Sequence, residues 1–200
     1  MFGNNLLTTD QVIQHALTLY QEHTAVHEAQ QRKQKYSCKW QPPPVGSLKL
    51  NVDGATFSDQ CRSGIGVVLR DDKGKVTFAA SKPEDAIADP MEIELIAILR
   101  GIQLCIPLGI VELQIESDAL LVIEELKKDG KSSTLWSSLI HEIKTLLSSF
   151  PAWSIQYRGR ESNGVAHNLA KFAWHLDDIA LWWDVIPECI SHAIWVDSSL

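Results

Sequence analysis

An acidic residue inside an apolar strand is the feature that most constrains this chain. Residues 49–55 (KLNVDGA) alternate Leu50 and Val52 with polar neighbours, which predicts a strand that ends at Asp53 and Gly54. Residues 64–70 (GIGVVLR) predict a neighbouring strand, whose glycines would let another backbone or a ligand come close. A carboxylate in a buried strand must be paired, neutralised or bound to a metal. The rest of the chain must therefore supply a partner for Asp53.

Size and charge limit the classes of protein that fit. A chain of 200 residues can form one α/β domain with appendages. Its apolar and charged fractions, 45% and 22%, are those of an ordinary globular protein. The net charge of −7 argues against steering of the whole molecule onto nucleic acid. However, residues 176–200 hold five acids and no Lys or Arg, which leaves −2 for residues 1–175, so a local phosphate-binding face can still form.

The sequence contains no pattern that is typical of a membrane or secreted protein. No apolar run approaches the roughly 20 residues that span a bilayer, and residues 1–5 lack the basic start of a secretory signal. The four cysteines include no CxxC pair, which favours free thiols in a reducing compartment. We therefore predict an intracellular protein without a membrane partner. Nuclear and cytoplasmic locations both stay open.

Four segments follow from local composition. Residues 1–39 predict a helical extension, and residues 40–47, with three consecutive prolines, predict a linker in polyproline II conformation. Residues 48–175 form the predicted α/β domain. Residues 176–200 are acidic and rich in Trp, and we expect this tail either to fold back on the domain or to contact a protein partner.

Periodicity within the domain predicts a βββαβααβα order. Strands are expected near 48–53, 63–70, 76–81, 111–116 and 153–158, and helices near 90–106, 119–128, 134–149 and 164–172. The first helix has Asp89 as its N-cap and Pro90 at its first position. The third helix is expected to bury one side, formed by Leu135, Leu139, Ile143 and Leu146. The predicted architecture is a mixed five-stranded sheet, with three antiparallel strands and then parallel strands, flanked by helices.

Two more acids join Asp53 as candidates for a shared site. Glu94 lies in the first two turns of a helix, where an exposed acid is common, and Asp118 follows a strand, where an Asp often caps the next helix. The predicted topology nevertheless brings all three acids toward one edge of the sheet. Crowded carboxylates repel each other unless cations lie between them, which indicates Mg²⁺ or Mn²⁺.

Four blocks of the sequence resemble the signature of ribonuclease H type 1. They are NVDGA (51–55), ELIAILRG (94–101), ESD (116–118) and NGVAHNLAK (163–171). The chain is most similar to the plant reverse-transcriptase-like group, which is related to the RNase H ends of non-LTR retrotransposons, and Trp40 with Pro42–Pro44 resembles the lead-in of that group. The resemblance covers about residues 40–175. Four blocks in the right order are more specific than any one of them.

The resemblance implies an RNase H-like fold and metal-dependent endonucleolytic hydrolysis of the RNA strand in RNA–DNA hybrids. Asp53, Glu94 and Asp118 match three members of the catalytic carboxylate set of the family, and as metal ligands they would hold Mg²⁺ (or Mn²⁺). His167 occupies the position of the fourth acid. As a fourth catalytic residue it could act with Mn²⁺, shuttle a proton or contact phosphate. The alternative is that His167 weakens or abolishes turnover, which would leave a nucleic-acid-binding or protein-interaction module.

The remaining candidates are residues that could contact the backbone of a hybrid or of another nucleic acid. RNase H reads the shape and the 2′-hydroxyls of the hybrid, so sequence-independent contacts are expected. Basic side chains at a helix end, or beside Glu161, could equally be solvated surface charges. The candidate nucleic-acid-binding residues are Gly54, Arg62, Lys127, Lys128, Arg158, Arg160 and Asn163.

Overall fold

The computed structural model describes residues 39–57, 61–85, 87, 89–128 and 135–198, which belong to one compact unit. The helix predicted for residues 1–39 lies outside the described residues, apart from residue 39. In the part of the chain that is described, no helix combines the length and the apolar character that crossing a membrane requires.

One mixed sheet of six strands forms the centre of the unit. Its strand order is β5-β4-β1-β2-β3-β6. The strands are β1 (Leu48–Phe57), β2 (Arg62–Arg70), β3 (Val76–Asp85), β4 (Glu112–Ser117), β5 (Ala152–Tyr157) and β6 (Ala180–Trp183). β1 is antiparallel to β2 and parallel to β4, and β4 is parallel to β5. The predicted α/β class is confirmed, but the predicted count of five strands is wrong because the tail adds β6 beside β3.

Among the described residues, five α-helices cover the two faces of this sheet. They are α1 (Pro90–Cys105), α2 (Leu120–Lys127), α3 (Ser137–Leu147), α4 (Gly164–Phe172) and α5 (Glu188–Ser198). The larger apolar core lies between α1–α3 and the face that carries Leu50 and Val52. A smaller core packs α4 and α5 against the opposite face through residues such as Val68 and Leu169. As predicted, Asp89 caps α1, since its Oδ1 accepts a hydrogen bond from the Met91 backbone N–H at 2.8 Å.

The buried side of α3 differs from the prediction. The helix begins at Ser137, so Leu135 lies outside it and is 92% exposed. The buried residues are Ile140, Ile143 and Leu147, at helical spacings of three and four. Of the predicted set, Ile143 is buried and Leu139 and Leu146 are partly buried against the core, whereas Leu135 was wrong because the helix begins at Ser137 and not near residue 134.

The tail folds back on the domain. In β6, Trp183 pairs with Phe78 and Trp182 pairs with Ala79 of β3. Ile190 of α5 is fully buried in the smaller core. The segment at 40–47 is also attached, because Trp40 is 6% exposed and its indole N–H donates to Asn51 Oδ1 at 2.9 Å. Both segments are therefore part of the folded unit.

The glycines of β2 allow α4 to lie directly on the sheet. A Cβ at Gly66 would lie 2.1 Å from the Ala166 carbonyl oxygen and 2.3 Å from the Ala170 nitrogen. A Cβ at Gly64 would lie 2.5 Å from the Ala173 Cβ. These distances are far below contact separations, so only glycine permits this approach. The close backbone approach expected from the two glycines is thus present, and it fixes the height of α4 above β1 and β2.

We expect Gly66→Ala to lower the free energy of unfolding by about 3 kcal/mol, because the added methyl group meets rigid backbone atoms of α4. Urea denaturation followed by circular dichroism measures the change. Gly164→Ala is the matched control, since a Cβ at Gly164 meets nothing within 4 Å. Equal stability of Gly66→Ala and Gly164→Ala would show that the glycine does not set the distance between helix and sheet.

Candidate metal and nucleic-acid site

Strand register brings two of the candidate acids to the same edge of the sheet. β1 and β4 are parallel, and Asn51 pairs with Glu116. Two residues further along each strand lie Asp53 and Asp118, so their side chains leave the sheet at the same level. Asp53 lies within β1 and is 1% exposed, whereas Asp118 directly follows β4 and is half-buried.

Helix α1 delivers the third acid. Glu94 lies in the second turn of α1, which packs against β1 beside Gly54. A Cβ at Gly54 would lie 3.0 Å from the backbone carbon of Ile93, so a larger residue would press against α1. The Gly54 backbone also forms a hydrogen bond with the Glu94 carboxylate. Gly54 was a candidate for nucleic-acid contact, and its observed contacts are with α1.

The three carboxylates converge. One ligand oxygen from each of Asp53, Glu94 and Asp118 lies within 4.8 Å of the other two. Glu94 Oε2 is buried and has no hydrogen-bond partner among the described residues. Such an arrangement is costly for three negative charges unless a proton or a cation neutralises part of it.

Burial and mutual repulsion change the acidity of this cluster. Burial foremost, and then the charges of Asp53 and Asp118, raise the pKa of Glu94 to about 9. Burial also raises the pKa of Asp53 to about 6, although a hydrogen bond from His167 opposes that rise. Near neutral pH, the metal-free protein therefore retains a proton on the Glu94 carboxyl group. A divalent cation would replace that proton, and three carboxylate oxygens are ligands that suit Mg²⁺ and Mn²⁺.

The His167 side chain lies between the carboxylate of Asp53 and the guanidinium of Arg160. Its Nδ1 lies 3.0 Å from Asp53 Oδ2, and its side chain is 15% exposed. The Arg160 Nη2 lies 2.8 Å from His167 Nδ1 and 3.0 Å from His167 Nε2. A hydrogen bond from Nδ1–H to Asp53 leaves Nε2 as the ring nitrogen that can accept from the guanidinium, and the 2.8 Å approach of Arg160 to Nδ1 is then a contact without a hydrogen bond. His167 thus binds a member of the acidic cluster through a donated hydrogen bond.

Asp118 does not cap α2. The helix has Ala119 at its N-cap position without a side-chain hydrogen bond, and the Ser117 hydroxyl accepts from the Ala119 backbone N–H at 3.1 Å. Asp118 instead accepts a hydrogen bond from Asn163 Nδ2 at 3.2 Å. Asn163 was a candidate for nucleic-acid contact, but its side chain is inside the protein because the residue is only 1% exposed. The same amide nitrogen also donates to the Val52 carbonyl oxygen at 2.9 Å.

The basic candidates have different surroundings. Arg62 donates to the Leu176 carbonyl oxygen at 2.8 Å, and Arg158 Nε donates to Glu116 Oε1 at 3.1 Å. Lys128 forms an ion pair with Glu125. Lys127 is exposed at the end of α2, about 10 Å along the helix axis from its first residue, Leu120. Of the basic candidates, Arg160 is the one that directly contacts His167.

Comparison with known proteins assigns the chain to a family. Residues 51–173 match the reverse transcriptase-like family. The chain belongs to this family. It is also similar to a protein of Arabidopsis thaliana named "Putative ribonuclease H protein", with 26% identity over 99% of this chain. The chain spans about a third (33%) of the length of that relative.

Solved structures show that this reverse transcriptase-like domain has an RNase H-like fold. RNase H1 of the halophilic archaeon Halobacterium salinarum is 21% identical, with a TM-score of 0.60 over 64% of this chain and 98% of that chain. An RNase H domain of Mycobacterium tuberculosis is also 21% identical, with a TM-score of 0.59 over 64% of this chain and 94% of that chain. An RNase H1 isolated from compost, crystallised with an RNA/DNA hybrid, has 21% identity and a TM-score of 0.57 over 64% of this chain and 96% of that chain.

A buried polar network in the reverse transcriptase-like domain was not predicted. Lys49, Asn51, Arg70 and Glu116 are each at most 2% exposed and are joined to one another by hydrogen bonds and an ion pair. One signal was present in the sequence, since residues 49, 51 and 53 alternate with Leu50 and Val52 and therefore share one face of β1. A polar face on a strand whose neighbours are apolar indicates buried, mutually satisfied groups once both faces of the sheet are covered.

Proposed function

We propose that this domain hydrolyses the RNA strand of RNA–DNA hybrids with the help of a divalent cation. The observation that carries the proposal is the convergence of Asp53, Glu94 and Asp118, with a buried and unpartnered Glu94 oxygen. The similarity to RNase H folds supports the reaction class, and the hybrid bound in one of those structures supports the substrate class.

The three carboxylates would hold Mg²⁺ or Mn²⁺. When bound, such a cation lowers the pKa of a water molecule and stabilises charge on the phosphate oxygens during in-line displacement. Asp53 and Glu94 come from a central strand and from a helix packed on it, so their positions are set by the core. Rigid placement of ligands on regular elements is what a preorganised site requires.

The chain's own residues also provide contacts for the phosphate backbone. Arg160 is exposed and lies against His167, so its remaining guanidinium donors can reach a phosphate beside the acidic cluster. His167 orients Asp53 by donating from Nδ1. Exposed Lys127 could add a nonspecific contact further along the duplex, consistent with recognition by shape rather than by sequence.

A second function is favoured by one observation. The fourth position of the carboxylate set holds His167, which donates a hydrogen bond to Asp53 and adds no hard oxygen ligand. With three carboxylates, the domain could bind a hybrid without cleaving it at a significant rate. This second candidate is a catalytically weakened domain that acts as a nucleic-acid-binding module.

A cleavage assay distinguishes the two candidates. We expect the purified protein to cleave the labelled RNA strand of a hybrid in Mg²⁺ or Mn²⁺, to leave duplex DNA intact, and to lose activity in EDTA. Asp53→Asn removes a ligand charge with little change of shape and is the inactive control. Cleavage no greater than that of Asp53→Asn would contradict hydrolysis. Binding of the hybrid without cleavage would support the module, and failure to bind any nucleic acid would contradict both candidates.

A further inference from the structure

The side chain of Asn163 links the acidic cluster to the protein interior. Its Nδ2 donates to Asp118 Oδ1 at 3.2 Å and to the Val52 carbonyl oxygen at 2.9 Å, which uses both of its hydrogens. Its Oδ1 accepts from Asn51 Nδ2 at 3.3 Å. The direction in which Asn163 presents its donor to Asp118 therefore depends on the partner that holds its other end.

Asn51 is that partner, and its amide is fixed in one orientation. The residue is fully buried, two positions before Asp53 in β1. Its Oδ1 accepts from the Trp40 indole N–H at 2.9 Å and from Arg70 Nη2 at 3.1 Å. Its Nδ2 donates to Glu116 Oε2 at 3.1 Å as well as to Asn163. A flipped amide would face two donors with its own NH₂ group, so only the observed orientation satisfies every bond.

The C-terminal helix holds the far end of this network. The guanidinium of Arg70, a residue only 1% exposed, stacks on Trp40 with 3.6 Å between its carbon and the ring centroid. Arg70 Nη1 forms an ion pair of 2.6 Å with Asp197 Oδ2, and Asp197 belongs to α5. These two partners fix the position of the buried guanidinium. Removing Asp197 would leave the charge of Arg70 buried without an ion-pair partner.

We propose that Asn51 is a positioning residue for the metal site, and that α5 acts on the site through Asp197 and Arg70. This inference rests on the proposed function, because it takes Asp118 to be a metal ligand. The hydrogen bonds run from Asp197 through Arg70, Asn51 and Asn163 to Asp118. Groups that orient a ligand in this way commonly change metal affinity by about 10–100-fold. The tail is then part of the metal site's support as well as of the fold.

Mn²⁺ affinity measured by isothermal titration calorimetry tests the inference without any need for turnover. Asn51→Asp keeps the shape of the side chain and its acceptors for Trp40 and Arg70, but it removes the donors to Asn163 and to Glu116. We expect the Kd for Mn²⁺ to rise by about tenfold or more. The added negative charge alone would lower that Kd, since it attracts a cation. Weaker binding would therefore come from lost positioning and not from charge.

Asp197→Asn tests the remote end and is useful even if Asn51→Asp does not fold. We expect a rise in the Mn²⁺ Kd of about threefold, and a double variant no weaker than Asn51→Asp alone, because both changes act through one network. Asp184→Asn is the matched control: Asp184 lies in the same tail, and its ion pair with Lys75 is exposed. Circular dichroism at the titration temperature verifies that each variant is folded.

Three results of these titrations would contradict the inference in different ways. Folded Asn51→Asp and Asp197→Asn proteins that bind Mn²⁺ as tightly as the wild type would overturn the inference and leave the proposed function intact. A double variant whose loss is the product of the two single losses would overturn the connection through Asp197. A wild-type protein that binds no Mn²⁺ would overturn both the inference and the proposed function.

Discussion

Glu94→Gln is expected to abolish hydrolysis and at the same time to stabilise the metal-free protein. The change removes a ligand charge at the centre of the acidic cluster, so we expect cleavage of a hybrid to fall by about a thousandfold, on the scale of losing a major electrostatic contribution to catalysis. It also removes the group whose pKa is raised to about 9 by burial and by the neighbouring acids. The metal-free variant should therefore have a higher melting temperature than the wild type at pH 8.

The stability of the metal-free protein should depend on pH through Glu94. Because the pKa of Glu94 rises from 4.5 to about 9 on folding, the folded protein binds a proton that the unfolded chain releases. The free energy of unfolding of the metal-free wild type should then decrease as pH increases from about 4.5 to about 9. Glu94→Gln should flatten that decrease. Saturating Mn²⁺ should raise the melting temperature of the wild type but not that of Glu94→Gln.

Glu92→Gln is the matched control for both measurements. Glu92 lies in the first turn of the same helix, outside the cluster of three converging oxygens. It should retain cleavage, Mn²⁺-induced stabilisation and the wild-type pH dependence. If Glu94→Gln still gained as much stability from Mn²⁺ as the wild type, the acidic cluster would not be the metal site. If its metal-free melting temperature were lower than that of the wild type, the charge of Glu94 would not destabilise the folded protein.

Local sequence patterns were enough to predict that Asp53, Glu94 and Asp118 lie close together. Alternation around Leu50 and Val52 located β1 and set the position of Asp53 within it. Asp118 could be placed at the same edge because it directly follows a strand that a crossover makes parallel to β1. Glu94 followed from the start of α1, which Asp89 and Pro90 mark. Each of these inferences used residues close together in the sequence, and the sheet order then brought them together in space.

The tail and the buried charges could not be predicted in this way. β6 has only four residues, two of them Trp, and its strand conformation comes from pairing with β3, about 100 residues earlier. Arg70 is buried in contact with Asp197 and Trp40, which lie about 160 positions apart in the sequence. A polar residue on a strand is predicted to be exposed to solvent unless its distant partners are known. Tertiary contacts of this kind leave no local periodicity.

His167→Asp is expected to strengthen the metal site at the expense of the metal-free fold. The new carboxylate would lie next to Asp53, whose Oδ2 is 3.0 Å from the imidazole Nδ1, and would add a hard oxygen to the three already there. Affinity for hard cations depends steeply on ligand charge, so we expect Mg²⁺ to bind about 10–100-fold more tightly and cleavage to increase. Without metal, the additional repulsion should lower the melting temperature, and Arg160 should only partly offset it.

The reason for this expectation is the hydrogen bonding of His167 itself. Its Nδ1 lies 3.0 Å from Asp53 Oδ2, and Arg160 Nη2 lies within 3.0 Å of both ring nitrogens, so protein groups already contact the two atoms that could bind a cation. His167→Asn is the matched control, because its amide can still donate to Asp53 without adding charge. If His167→Asp and His167→Asn both lost activity in Mg²⁺ and in Mn²⁺, the imidazole would take part in the reaction directly. A gain in Mg²⁺ affinity and cleavage for His167→Asp alone would show that the domain retains a competent scaffold and lacks one ligand.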